Sequence, residues 1–226
     1  MTGQSPAASI GVFGGTFDPP HAGHLIVAQD AALALGLDRI LFIPAASPPH
    51  KRDAVLTAAP VRARMLALAI EGDERFGIDT LELERQGESY TVDTLRTLHD
   101  RHPDVHWTLL MGADQYEEFA TWREPVEIRR LARIAVLARA GERGVPSDSP
   151  AAGGAAMVGS QSGRPAAQEL THGSVAVEVT RIDISATLVR RRVAAGLPIR
   201  YLVPPAVEQF IFEQHLYVRN GTPVAG

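Results

Sequence analysis

Cysteine is absent from all 226 residues. That removes disulfide frameworks, thiolate nucleophiles and cysteine zinc sites, and nothing in the chain asks for an oxidising compartment. Aromatic side chains make up only 6% of the sequence. No run approaches the roughly 20 apolar residues that a membrane-spanning helix needs. A basic excess is also missing: 22 Lys and Arg stand against 26 Asp and Glu, net −4, so the overall field does not draw the chain to a nucleic acid. The opening MTGQSPAAS lacks the basic start and apolar core of a secretory signal. These absences lead us to expect a cytoplasmic protein with no membrane and no nucleic-acid partner. A homo-oligomer is left open.

What is present is close to the globular average, 45% hydrophobic and 21% charged. Short apolar runs alternate with segments of helical spacing. Residues 9–13 (SIGVF) read as a buried strand closed by Gly14 and Gly15, and 25–37 (LIVAQDAALALGL) as a helix with Gly36 at its end. A strand at 39–43 follows, then a helix over 61–70, a strand over 77–83, a helix over 91–101 and a strand at 107–111. Short helices fill 114–131. Strands at 134–138 and 175–182 and helices over 187–195 and 204–214 complete the chain. Nearly all-apolar strands alternating with helices predict an α/β fold, a Rossmann-like doubly wound parallel sheet covered on both faces, in a single domain over 9–218.

One stretch departs from this pattern. Of the 34 residues from 141 to 174, 21 are Gly, Pro, Ser or Ala, a composition that cannot bury a core. It is expected to be a flexible insertion without strand or helix, and 1–8 and 219–226 to be flexible ends.

The chemistry concentrates in 14–24, GGTFDPPHAGH, between the first strand and the first helix, where a doubly wound sheet places its ligand crevice. Gly14 and Gly15 let backbone approach a ligand, and Pro19 and Pro20 stiffen the loop. His21 and His24 lie three apart on the first turn of the helix. Free amides and two imidazoles there suit the phosphates of a nucleotide. Alone, such a pair is more commonly a cap beside a solvated side chain. A metal reading with His21, His24 and Asp18 also exists, and no GxGxxG fingerprint occurs. Late in the chain, ISATLVR at 184–190 reads as a helix start with Ser185 as N-cap and Thr187 and Arg190 on one face. A plain amphipathic helix would explain Ser185 and the valines and give Arg190 no task.

Together the two segments resemble the T/HxGH and ISxTxxR signatures of the nucleotidyltransferase superfamily related to class I aminoacyl-tRNA synthetases. PPHK at 48–51, SYTVDTL at 89–95, GAD at 112–114 followed by Trp122, and YLVP and HLY near the end further resemble the bacterial nicotinate mononucleotide adenylyltransferases. The resemblance implies transfer of AMP from ATP to nicotinate mononucleotide, giving deamido-NAD and pyrophosphate, with Mg²⁺ arriving on ATP and no protein ligand named for it. It implies that His21, His24, Lys51 and Arg190 act at the reacting phosphates. ATP would also meet Gly14, Gly15, Thr16, Phe17, Gly112, Asp114, Ser185 and Thr187; Thr91, Trp122 and Lys51 would receive the mononucleotide. Two positions depart from the pattern: Ala186 stands where many relatives have serine, and Arg123 where some have an aromatic. The alternatives are an enzyme preferring nicotinamide mononucleotide or phosphopantetheine, and a nucleotide-sensing module without turnover.

Overall fold

The computed structural model describes residues 7–46, 56–85, 88–139, 167–170 and 173–218. Among these described residues seven strands form one sheet in the order β3-β2-β1-β4-β5-β7-β6. They are β1 (Ser9–Gly15), β2 (Arg39–Pro44), β3 (Phe76–Ile78), β4 (His106–Gly112), β5 (Arg133–Arg139), β6 (Ala167–Glu169) and β7 (Ser174–Val179). Every pairing is parallel except that of β6 with β7. The helices are α1 (Ala22–Leu35), α2 (Ala59–Ile70), α3 (Leu81–Glu84), α4 (Thr91–Arg101), α5 (Ala113–Glu117), α6 (Pro125–Leu131), α7 (Ala186–Ala194) and α8 (Pro205–Glu213). Among the described residues no helix is long and apolar enough to cross a membrane.

The uninterrupted apolar strands follow from burial on both faces. On β4, Leu109 and Met111 join a core with Val92, Leu95 and Leu98 of α4 and Ile128 and Leu131 of α6. Leu110 between them joins the opposite core, against Ala28, Ala31 and Ala32 of α1. On β5, Ile134 and Val136 likewise face one way, Ala135 and Leu137 the other. The period-two alternation of a strand therefore feeds two cores. A third cluster sits at one end, where Val189 and Val193 of α7 and Val207 and Ile211 of α8 pack on Met65 of α2.

Most expected elements appear within a few residues of their predicted bounds, and α4 matches them at both ends. Helix α1 begins a turn earlier than the apolar pattern indicated and ends at Gly36, whose φ of 62° is the left-handed cap. Two expectations are corrected. The strand expected at 77–83 stops at Ile78, because the Asp79 carboxylate accepts the Leu81 N–H at 2.8 Å and turns the chain into α3. Within 141–174, Ala167–Glu169 forms the antiparallel edge strand β6. All three of its residues are exposed, so the pairing rests on backbone and leaves no apolar pattern to read. The rest of that stretch up to 166, and Lys51 with PPHK, lie outside the described residues.

Strand order reverses beside β1: its neighbours are β2 on one side and β4 on the other. A crevice opens at the carboxyl ends of strands at such a switch point. Register sets Phe13 opposite Leu110, so Gly14–His21 and Gly112–Asp114 leave the sheet side by side.

Candidate active site at the switch point

His21 is the N-cap residue of α1, with extended backbone. Its N–H donates to His24 Nδ1 at 3.1 Å, and the two rings stack with centroids 3.6 Å apart. Because Nδ1 of His24 accepts, a neutral His24 carries its proton on Nε2. The His21 ring is 7% exposed and its Nδ1 is buried without a hydrogen-bond partner. Burial pushes its pKa down to about 4, so His21 is neutral near pH 7 and offers a donor, not a charge. Gly23 makes this packing feasible. A Cβ there would stand 3.1 Å from His21 Nδ1 and 3.2 Å from Cε1, on a ring already stacked against His24.

The preceding loop is braced from below. Phe17 is buried, its ring 5.0 Å from that of His24 and against Phe13 and Phe42. A Cβ on Gly15 would meet the Phe17 ring at 2.8 Å, whereas one on Gly14 would meet nothing within 4 Å. Thus Gly15 is glycine for packing and Gly14 borders open space. Asp18 spends both carboxylate oxygens inside the protein, accepting from the Tyr217 hydroxyl at 2.5 Å and the Thr57 N–H at 3.1 Å. No cluster of three His, Asp or Glu able to hold a metal occurs among the described residues.

Helix α7 closes the same edge. Ser185 caps it, accepting the Leu188 N–H at 3.1 Å, as its sequence position predicts. Arg190 donates through Nη1 to the Asp18 carbonyl at 2.6 Å and through Nη2 to Thr187 Oγ1 at 3.2 Å. Residues 172 positions apart therefore meet at the histidine loop. Above β4, Asp114 folds back so closely that a Cβ on Gly112 would lie 2.5 Å from its Oδ1.

Farther along the crevice, Trp122 is half-buried with one side on Phe119, ring centroids 5.6 Å apart. Tyr90, the N-cap residue of α4, makes no side-chain capping bond to the first turn containing Thr91. The Arg123 guanidinium lies 4.7 Å over the Tyr90 ring and 3.6 Å from Asp93. Arg96 adds a second cation to Asp93 at 3.4 Å and pairs with Glu124 at 2.5 Å. Behind the helix, Glu82 is buried and accepts from Thr94 Oγ1 at 2.6 Å. Desolvation lifts its carboxyl above the ordinary range.

Residues 12–192 match the family model described as cytidylyltransferase-like. The chain belongs to the cytidylyltransferase-like family. Among curated relatives, one from Herpetosiphon aurantiacus is 39% identical over 209 residues, covering 92% of this chain and 98% of its own. Another from Geobacillus thermodenitrificans is 40% identical over 208 residues, covering 92% and 85%. Both carry the name "Probable nicotinate-nucleotide adenylyltransferase". A solved Plasmodium falciparum structure, "nicotinic acid mononucleotide adenylyltransferase complexed with NaAD", superposes with TM-score 0.69 at 18% identity, covering 93% of this chain and 97% of that one. At that identity the likeness concerns the fold.

In this family member the structure brings His21, His24, Thr187, Arg190, Gly14 and Thr16 to one loop, with Gly112 and Asp114 beside it. Trp122 packs on the core that includes Val92, the neighbour of Thr91 in α4. Phe17 turns its ring into the core and leaves only its backbone to a ligand. Three residues that shape the loop carry no assigned role in the sequence: Gly23, Arg62 and Tyr217. For Arg62 a signal existed, since helical spacing puts it on the α2 face of Met65 and Leu66, and all three are buried. A charge on an apolar face asks for a partner. Tyr217 stood only as the last residue of HLY with no role attached, because its partner lies 199 positions away.

Proposed function

We propose that this protein transfers the adenylyl group of ATP to nicotinate mononucleotide, forming deamido-NAD and pyrophosphate. The observation that carries the reading is the meeting of the stacked His21–His24 pair with Arg190 at the β1/β4 switch point, in a chain whose relatives at 39% and 40% identity bear that name. An oxygen of the mononucleotide phosphate attacks the α-phosphorus of ATP. The bond from that phosphorus to the oxygen bridging to the β-phosphate breaks, and pyrophosphate leaves. No covalent intermediate on the protein is required. The work is positioning and charge stabilisation.

His24, half-buried with Nδ1 engaged, presents its Nε2 proton to a phosphate oxygen at the reacting centre, and His21 beside it is a neutral donor. Neutrality matters: a buried imidazolium would cost free energy, whereas an N–H donor is available at once. Ser185, Thr187 and Arg190 hold the β- and γ-phosphates, and Lys51 adds a charge to the phosphates. Gly14, Gly15, Thr16 and Phe17 offer backbone to the nucleotide, with Gly14 facing open space. Gly112 and Asp114 meet adenosine. Mg²⁺ would arrive as a companion of ATP, held by phosphates and water.

The mononucleotide takes the other end. Trp122 packs one side on Phe119 and stacks its pyridine ring, and the amides at the start of α4, with Thr91, receive the carboxylate. That helix start lacks a side-chain cap, and the acidic Asp93 in its first turn is offset by Arg96 and Arg123. An anion is preferred there over a neutral amide. The test is pyrophosphate release from MgATP with nicotinate mononucleotide, set against nicotinamide mononucleotide and phosphopantetheine.

A further inference from the structure

Arg62 is 1% exposed and spends its guanidinium on backbone carbonyls from three separate segments. Nε donates to Thr57 at 2.9 Å, Nη1 to Thr16 at 2.7 Å, and Nη2 to Ala45 at 2.7 Å and Ala46 at 3.2 Å. Thr16 lies in the loop that ends at His21, Ala45 and Ala46 follow β2, and Thr57 leads into α2. Four acceptors satisfy a charge that desolvation would otherwise penalise.

Asp18 is the neighbouring node and connects this brace to both ends of the fold. Its Oδ2 receives the Thr57 N–H and its Oδ1 the Tyr217 hydroxyl. Its own carbonyl receives Arg190 Nη1 at 2.6 Å. Tyr217 reaches this position with a φ of 63°, a left-handed conformation that a tyrosine adopts only when its surroundings enforce it. A tyrosine needed for packing alone would not need its hydroxyl on a buried carboxylate. Without the hydroxyl that buried carboxylate would keep only the Thr57 N–H on its other oxygen, and the carbonyl of the same residue is the acceptor that orients the Arg190 fork.

We propose that Tyr217, acting through Asp18, is a positioning residue for adenylyl transfer: its hydroxyl fixes the Asp18 segment so that the Asp18 carbonyl aims Arg190 at the nucleotide phosphates. This rests on the reaction assigned above. The most C-terminal part of the fold thereby sets the geometry of a loop near its start.

The test is Tyr217→Phe in the full chain, which keeps the ring and removes one O–H. Steady-state constants for both substrates, ATP affinity by calorimetry and the thermal midpoint are measured beside the wild type. The expected result is a rise of about tenfold in KM for ATP and a matching loss of ATP affinity, the size of one lost charge-assisted hydrogen bond, with KM for the mononucleotide unchanged. In an Arg190→Lys background the same change produces no further loss in ATP affinity, because the path runs through Arg190. A variant with both KM values intact and only kcat and midpoint lowered has lost folded protein, and that result overturns the proposal. So does an unchanged kcat/KM for ATP, or an equal rise in both KM values. If the wild type itself turns over no nicotinate mononucleotide, the assigned reaction fails separately; ATP affinity then decides, with weaker binding by Tyr217→Phe sustaining the positioning role and equal binding ending it.

Discussion

The two ends of the crevice are held in different ways. At the histidine loop the polar groups that fix geometry are buried: Arg62 on four carbonyls, Asp18 between Thr57 and Tyr217, and the His21 ring under 10% exposed. At the Trp122 end a buried anchor, Glu82 with Thr94, holds the back of α4, but the ion pairs around its first turns, among Arg96, Arg123, Asp93 and Glu124, are solvent-exposed. Buried hydrogen bonds in low dielectric are electrostatically stronger, and a satisfied network of them rigidifies its members. Exposed pairs are screened and exchange with water. The difference follows the division of labour in the proposed reaction. Phosphoryl chemistry depends on placement, and recognition of a ring and a carboxylate tolerates slack.

The largest effect expected from breaking this comparison is at His24. His24→Ala removes a donor at the reacting phosphorus and is expected to lower kcat by about a thousandfold while the thermal midpoint stays near that of the wild type. Single-turnover kinetics check it, and retained turnover would remove His24 from the chemistry.

His21 provides a second, pH-dependent contrast. Its folded pKa of about 4 lies below the 6.5 of an ordinary histidine, so the folded state binds fewer protons than the unfolded chain between those values. Its contribution is fully present above about pH 6.5 and is lost as pH falls toward 4, with an upper size of about 3 kcal/mol. Denaturant unfolding at a series of pH values is expected to show this slope, and His21→Gln is expected to flatten it. An unchanged slope would mean that the ring is solvated.

At the other end, Trp122→Ala is expected to raise KM for the mononucleotide about tenfold, the worth of one stacked ring, and to leave KM for ATP unchanged. Equal rises in both would place Trp122 in the core alone. Smallest of all is Arg96→Gln, which removes one cation from its exposed pairs. It is expected to leave kcat unchanged and to move the thermal midpoint by about one degree at low salt, a difference that vanishes in high salt. A large loss of activity there would show that the ends are held alike.

The sequence made these regions legible to different degrees. Strands β1, β2, β4 and β5 stood out because burial on both faces leaves unbroken apolar runs, and α4 because Val92, Leu95 and Leu98 repeat at helical spacing. LELE in α3 alternates like a strand, and only the Asp79 turn before it decides otherwise. Strand β6 is made by pairing alone. In the site, the residues that would touch substrate were readable from GGTFDPPHAGH and ISATLVR, whose meaning is local. Their supports were not: Arg62 reaches 46 positions to Thr16, and Tyr217 reaches 199 to Asp18. A side chain whose role is to hold a distant loop leaves no spacing in the chain.

The central claim, that a carboxylate-reading end is joined to a phosphate-transferring end, is tested most directly by pyrophosphate release from MgATP with three acceptors in parallel. A kcat/KM for nicotinate mononucleotide at least about tenfold above that for nicotinamide mononucleotide, equivalent to about 1.4 kcal/mol of transition-state discrimination, is the predicted result, with phosphopantetheine inert. Equal rates with the two mononucleotides, or release with none of the three acceptors, would contradict it.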